Sequence, residues 1–137
     1  MRKLRICIGS NDGENLAHTH MGDTEFFYLY DFVEDTEGSF VERRKNVARN
    51  MDHAQSDKMK AIISLVEDAD IFVAQQKSPN FIKIAKQTRF QPVVVKVESI
   101  QDILTLLQDE FKNIYSYVER RKNDETFETI PELTVHS

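Results

Sequence analysis

One short stretch sets the strongest condition on what this chain can become. Glu25-Phe-Phe-Tyr-Leu-Tyr-Asp-Phe-Val33 is dense in aromatic side chains, which suit a pleated strand far better than a helix. Successive side chains of a strand point to opposite faces, so Phe26, Tyr28, Tyr30 and Phe32 line one face and Phe27, Leu29 and Val33 the other. Both faces are apolar. Such a strand belongs in a sheet that is covered on both sides.

The flanking sequence supplies the rest of that sheet. Leu4-Arg-Ile-Cys-Ile-Gly9 alternates, with Leu4, Ile6 and Ile8 on one side, and predicts a strand. Ser10-Asn11-Asp12-Gly13-Glu14-Asn15 is turn chemistry, built from residues that bond their own backbone or tolerate positive φ. Glu34–Gly38 is a polar turn, and Phe40-Val-Glu-Arg-Arg44 a hairpin partner whose charges place it near an edge. After the irregular Asn46–Ser56, the residues Met59, Ile62, Ile63 and Val66 fall at helical spacing. Asp70–Ala74 and Pro92–Val97 read as short buried strands. Between them, Ser78 is an N-cap with Pro79 at the first helical position, and Phe81, Ile84 and Ala85 form the inner face. Ser99-Ile-Gln-Asp102 resembles a capping box, and behind it Ile100 to Val118 holds one apolar helical face for about five turns.

The element order is therefore β-β-β-α-β-α-β-α. Three leading strands joined by short turns favour a meander, and the remainder favours parallel strands with right-handed crossovers. The expected fold is α/β, a mixed five-stranded sheet flanked by helices, as in ribonuclease-H-like folds. Residues 1–118 are expected as one domain and 119–137 as a charged C-terminal tail, with a short extended segment near Thr129–Val135.

Composition narrows the partners. A chain of 137 residues, 40% of them hydrophobic, is long enough to bury a core. It contains no run near the roughly 18–20 apolar residues of a membrane span. The first apolar run ends at Ile8, short of a secretory signal, so a cytoplasmic location is expected. The single cysteine, Cys7, excludes an internal disulfide and a cluster held by several thiolates of one chain, and it reads as a small buried apolar residue. A net charge of −5 argues against a nucleic-acid partner, because such binding rests on Lys and Arg neutralising phosphates.

Candidate chemistry gathers in Leu16-Ala-His-Thr-His-Met-Gly-Asp23. His18 and His20 are two apart, so in an extended loop they point to opposite sides and chelate one ion only if the loop curls. Imidazole suits iron, copper, nickel or zinc, and the thioether of Met21 favours soft metals. Solvated loop histidines are the plain alternative. Met51 and His53 are two further donors before the first helix, and the ends of open sheets with crossover helices are where ligands gather. A two-metal nuclease is disfavoured: the first strand offers Arg5 and Cys7 but no carboxylate, and Asp12, Asp23 and Asp57 stand where Asp is ordinary turn or cap chemistry. No nucleophile elbow and no phosphate-cradling glycine loop is present.

Taken together, Ile6–Phe32 ("ICIGSNDGENLAHTHMGDTEFFYLYDF") resembles the N-terminal half of the dinitrogenase iron–molybdenum cofactor biosynthesis family. Those proteins begin with a strand, a Ser/Thr–Asp–Gly turn, a His–Phe–Gly loop and an aromatic strand ending near Asp. Here the turn is Ser10–Gly13, the loop is His20-Met21-Gly22 and the strand is Phe26–Asp31. The similarity continues through Arg43–Asn46, Lys58–Lys60, Asp70–Val73, Ser78–Asn80 and Pro92–Leu107. It implies a non-enzymatic domain that binds, carries or stores a metal–sulfur cluster: an iron–molybdenum cofactor precursor, an iron–sulfur cluster or a molybdenum–copper sulfide cluster. It also implies metallocofactor-assembly proteins as partners, for a monomer or weak homodimer. The ligand role of the loop histidine falls on His20, with His18, Met21 and His53 as further donors and Gly22 admitting close backbone approach. Backbone and amide donors for an anionic cluster would come from Ser10, Asn11, Asp12 and Gly13, and from Gln75, Gln76, Ser78 and Asn80. Two departures stand out: Met21 replaces the aromatic, and Ala74–Ser78 replaces a glycine-rich loop. The second supports an alternative, a cluster-free interaction or regulatory module on the same fold.

Overall fold

In the computed structural model, which describes residues 2–17, 23–50 and 56–134, the aromatic strand lies second from one edge of a six-stranded sheet. The elements in chain order are β1 (Lys3–Ser10), β2 (Phe26–Val33), β3 (Ser39–Lys45), α1 (Ser56–Leu65), β4 (Ile71–Ala74), α2 (Pro79–Gln87), β5 (Gln91–Val95), α3 (Ile100–Asp109), α4 (Phe111–Lys122) and β6 (Glu132–Leu133). The strand order is β3-β2-β1-β4-β5-β6. β1, β2 and β3 pair antiparallel, whereas β1–β4, β4–β5 and β5–β6 are parallel. This is the mixed α/β sheet with flanking helices that the element order predicts.

Both faces of the central strands are covered, whereas on β2 Phe27, Leu29 and Phe32 are buried and Phe26, Tyr28 and Tyr30 half-buried. Ile6 pairs opposite Tyr30 and Leu4 opposite Phe32, which sets the even residues of both strands on one face. There Leu4, Ile6, Ile8, Phe32, Val73 and Val95 meet Ile103 and Leu107 of α3 and Ile114 and Val118 of α4. On the opposite face Cys7, Phe27 and Phe72 pack with Val66 beyond α1 and with Phe81 and Ile84 of α2. Phe72 and Phe90 stack there with ring centroids 4.6 Å apart. Each such side chain contributes roughly 1.5–3 kcal/mol through removal from water. Cys7 is wholly buried, and burial pushes its thiol far above the ordinary range, so it packs as an inert apolar group. None of the described helices is long and apolar enough to cross a membrane.

Two features differ from the sequence reading. The single long helix expected through Val118 is divided at Glu110, whose ψ of 15° leaves the helical region. The Glu110 N–H bonds back to the carbonyls of Gln108 and Leu106. Apolar spacing runs across the break because α3 and α4 face the same core, so the pattern carries no sign of it. The sheet also has a sixth strand. β6, within the stretch expected to be extended, pairs with β5 through Val94↔Glu132 and Val95↔Leu133, and Leu133 is buried.

Arg121 of α4 is 2% exposed and explains how the chain returns to that strand. It donates to Gln91 Oε1 at 2.7 Å, to the carbonyls of Ala85 at 2.7 Å and Thr88 at 3.1 Å, and to that of Phe127 at 3.2 Å. The ring of Phe127 lies 4.1 Å from the guanidinium. Burial, with a smaller effect of Arg120, pulls Arg121 down to about 10, so it stays charged at neutral pH.

Candidate functional site at the carboxyl ends of the central strands

β1 and β4 are parallel neighbours, with Ile8 opposite Val73, so the connections that follow them leave the sheet side by side. The strand order also reverses between them, the chain running outward from β1 to β2 on one side and from β4 to β5 on the other. In open α/β sheets the crevice beyond the strand ends at such a point is where ligands bind.

The first connection is a self-bonded turn. Ser10 is wholly buried; its hydroxyl donates to the Asn15 carbonyl at 2.6 Å and accepts from the Gly13 N–H at 3.0 Å. Asp12 Oδ1 accepts from the N–H groups of Asn15 and Glu14, each at 2.9 Å. These two bonds, that from Asn15 first, lower its carboxyl to about 2. Asn11 Oδ1 accepts from the Glu25 N–H at 2.8 Å and so ties the turn to the start of β2. Gly13 has φ +77°, and a Cβ there would lie 2.8 Å from the Tyr28 hydroxyl, so both conformation and space call for glycine.

The connections after β1, β4 and β5 are sewn into one rim. The Ile100 N–H donates to the Glu14 carbonyl at 2.8 Å, and the Leu16 N–H to that of Glu98 at 2.7 Å. Asn15 and Ser99 form an isolated antiparallel bridge between them. Gln75 Nε2 donates to the Val97 carbonyl at 3.3 Å, and Lys96 Nζ returns a bond to the Gln75 carbonyl at 2.9 Å. Ser78 caps α2 as expected, its hydroxyl accepting from the Phe81 N–H at 3.2 Å. Pro79 has no N–H to offer, and Asn80 stands at the second position of α2. Gln76 and Lys77 remain exposed on this side. The rim thus ties residues 14–16, just past the Ser10–Gly13 turn, to the β5–α3 connection, and that connection in turn to Gln75. Three main-chain donors of its first turn are directed at Ser10 and Asp12.

The imidazole and thioether candidates His18, His20, Met21, Met51 and His53, with Gly22, lie outside the described residues. The chain on either side of their segments is well tied. The Ala17 N–H donates to the Gly9 carbonyl at 3.0 Å. Lys58 Nζ of α1 pairs with Asp23 Oδ1 at 2.8 Å and also donates to the Arg49 carbonyl at 3.3 Å. One buried ammonium, 4% exposed, thereby joins the residue after 18–22 to the residues before 51–55. Sequence reading missed this role. Lys58 looks like a solvent-facing helix residue, and its partner is 35 positions away. Among the described residues no three His, Cys, Asp or Glu side chains are grouped to hold a metal ion.

The family model described as dinitrogenase iron-molybdenum cofactor matches residues 2–110. No curated protein matches the chain.

Proposed function

Because this chain belongs to the dinitrogenase iron-molybdenum cofactor family, we propose that it binds a metal–sulfur cluster as cargo and hands it on during metallocofactor assembly, with no bond chemistry of its own. Membership associates the chain with iron–molybdenum-cofactor biosynthesis or binding. The carrier role goes one step further, as does the choice of cargo among an iron–molybdenum precursor, an iron–sulfur cluster and a molybdenum–copper sulfide cluster. His20 is the principal ligand in this reading, with His18, Met21 and His53 as further donors and Gly22 as the point of close approach. Gln75, Gln76, Ser78 and Asn80, with Lys77 beside them, form the side that favours an anion, through amide donors, a cation and the start of α2. Ser10, Asn11, Asp12 and Gly13 supply the second set of backbone and amide donors in this reading, on a turn held by its own hydrogen bonds.

The observation that supports this reading is the rim itself. Two connections that carry the family's motif positions leave adjacent parallel strands and are bonded to a third. A site with few strong protein ligands suits release to another protein. The cluster-free module has an observation in its favour as well: the donors of Gly13, Glu14 and Asn15 are taken within the turn, and that of Phe81 by Ser78.

Metal and acid-labile sulfide analysis, with a visible spectrum, on protein purified without oxygen separates the two. Reconstitution with iron and sulfide, and separately with tetrathiomolybdate and copper, is run on the wild type and on His20→Ala. Stoichiometric charge-transfer bands that are lost in the variant are expected. A protein that stays colourless under every condition overturns the carrier reading and leaves the interaction module.

A further inference from the structure

Away from the rim, β3 ends the sheet, with β2 as its one neighbour among the described strands. A terminal strand leaves alternate N–H and C=O groups pointing outward, free to pair with another extended chain. The pairing register steps between Leu29 and Tyr30: Glu42 opposes Leu29, Phe40 opposes Tyr30, and Val41 is the extra residue of a bulge. That step sets Phe40 on the same face as Arg43 and Lys45, which oppose Tyr28 and Phe26. The Phe40 ring packs 5.6 Å from that of Tyr30 and 6.3 Å from that of Tyr28, and Arg43 lies 4.3 Å over Phe26.

Protective edges are charged and polar, but this one also exposes large apolar groups. Phe40 is 57% exposed, Val41 36% and, just past the strand, Val47 72%. The charges are one-sided too. Arg43, Lys45 and Arg49 have no ion-pair partner among the described residues, whereas Arg44 turns to the other face and is taken up by Asp68 and Glu42. Unpaired cations beside exposed apolar side chains, in a chain of net charge −5, mark a local surface of opposite sign to the whole.

We propose that the outer edge of β3 docks an extended acidic segment of a partner protein, which adds a strand, seats an apolar side chain on Phe40 and sets carboxylates against Arg43 and Lys45. This is independent of the cluster reading. Strand addition draws affinity from main-chain bonds and specificity from alternate side chains, which matches what this edge offers. A nucleic acid fits less well: the net charge repels it, and the rings lie edge-on or tilted against one another rather than as open platforms. A second copy paired about a two-fold axis at Glu42 or Arg43 would set like charges opposite each other.

The test uses the full chain and a short extended peptide alternating glutamate with leucine, beside a control with lysine for glutamate. Amide shifts and hydrogen exchange are followed by NMR. Perturbation confined to residues 39–47 and their β2 neighbours is expected, weakening as salt is raised. Binding should fall at least about tenfold in Arg43→Glu/Lys45→Glu and in Phe40→Ser, and be absent with the lysine peptide. Val47→Asp, outside the sheet, is a second reporter that leaves strand pairing intact. No binding at millimolar peptide overturns the proposal, as do shifts elsewhere or affinity indifferent to these substitutions. Tighter binding of oligothymidylate at the same residues, or a homodimer in sedimentation that Phe40→Ser dissolves, overturns it in favour of a different occupant.

Discussion

Asp12 shows how much of the candidate site is local chemistry. Its carboxylate accepts two main-chain bonds from residues two and three positions on, a pattern that Ser10-Asn-Asp-Gly-Glu-Asn15 announces in the sequence. Those bonds favour the ionised form, and the folded carboxyl lies at about 2, below its ordinary value of 3.8. A depressed carboxylate contributes stability that is complete above its unfolded pKa and is lost as pH falls toward the folded one. The stability difference between wild type and Asp12→Ala should therefore be constant near neutral pH and shrink between about pH 4 and 2. Urea midpoints taken across that range check it; a difference that persists at pH 2 would mean the turn is held by other bonds. Lys58 is the contrasting case. Its burial depends on Asp23 arriving from a distant part of the chain, and no window around Lys58 contains that information.

The elements divide the same way, between those with a period and those without. β1 was legible from its alternation, β2, β4 and β5 from short aromatic or β-branched runs that are apolar on both faces, and the inner faces of α1 and α2 from a helical stripe. The break at Glu110 was hidden because one continuous core accepts both α3 and α4. β6 was legible as an extended stretch, but its pairing with β5 was not, because two residues have no period. What holds β6 in place is legible only in three dimensions. Arg121 reads as one more cation in Glu119-Arg-Arg-Lys122, yet it bonds α2, β5 and the returning chain at once. Arg121→Met should leave Gln91 Oε1 and several carbonyls buried without that donor, at a cost of about 2–4 kcal/mol. Arg121→Lys, which keeps the charge but not the fork, should fall between. Urea unfolding gives the ranking, and faster amide exchange around residues 125–133 gives the location. A loss below about 0.5 kcal/mol would mean that β6 stands without its clamp.

At the scale of the molecule, the single thiol tests whether the two helical layers and the sheet act as one cooperative unit. Cys7 sits in β1, between β2 and β4, and faces the layer of α1 and α2 with no exposure. Burial makes it silent in the folded chain in two ways. No reagent reaches it, and burial raises its thiol so far that the reactive thiolate is scarce. Labelling therefore reports an opening, and the size of that opening is measurable. If α1 and α2 lift off while the rest of the sheet persists, Cys7 reacts at a rate set by a small local free energy that urea hardly changes. If exposure requires the whole sheet to come apart, the free energy from labelling equals that of global unfolding, with the same urea dependence. The second outcome is expected, because the layer over Cys7 shares one core with Phe27 and Phe72 of the sheet, so lifting it uncovers that whole cluster at once. Thiol labelling followed against urea, beside unfolding by circular dichroism, decides it. Agreement within about 1 kcal/mol supports one cooperative unit, whereas a labelling free energy several kcal/mol lower would show the helical layer opening independently of the sheet.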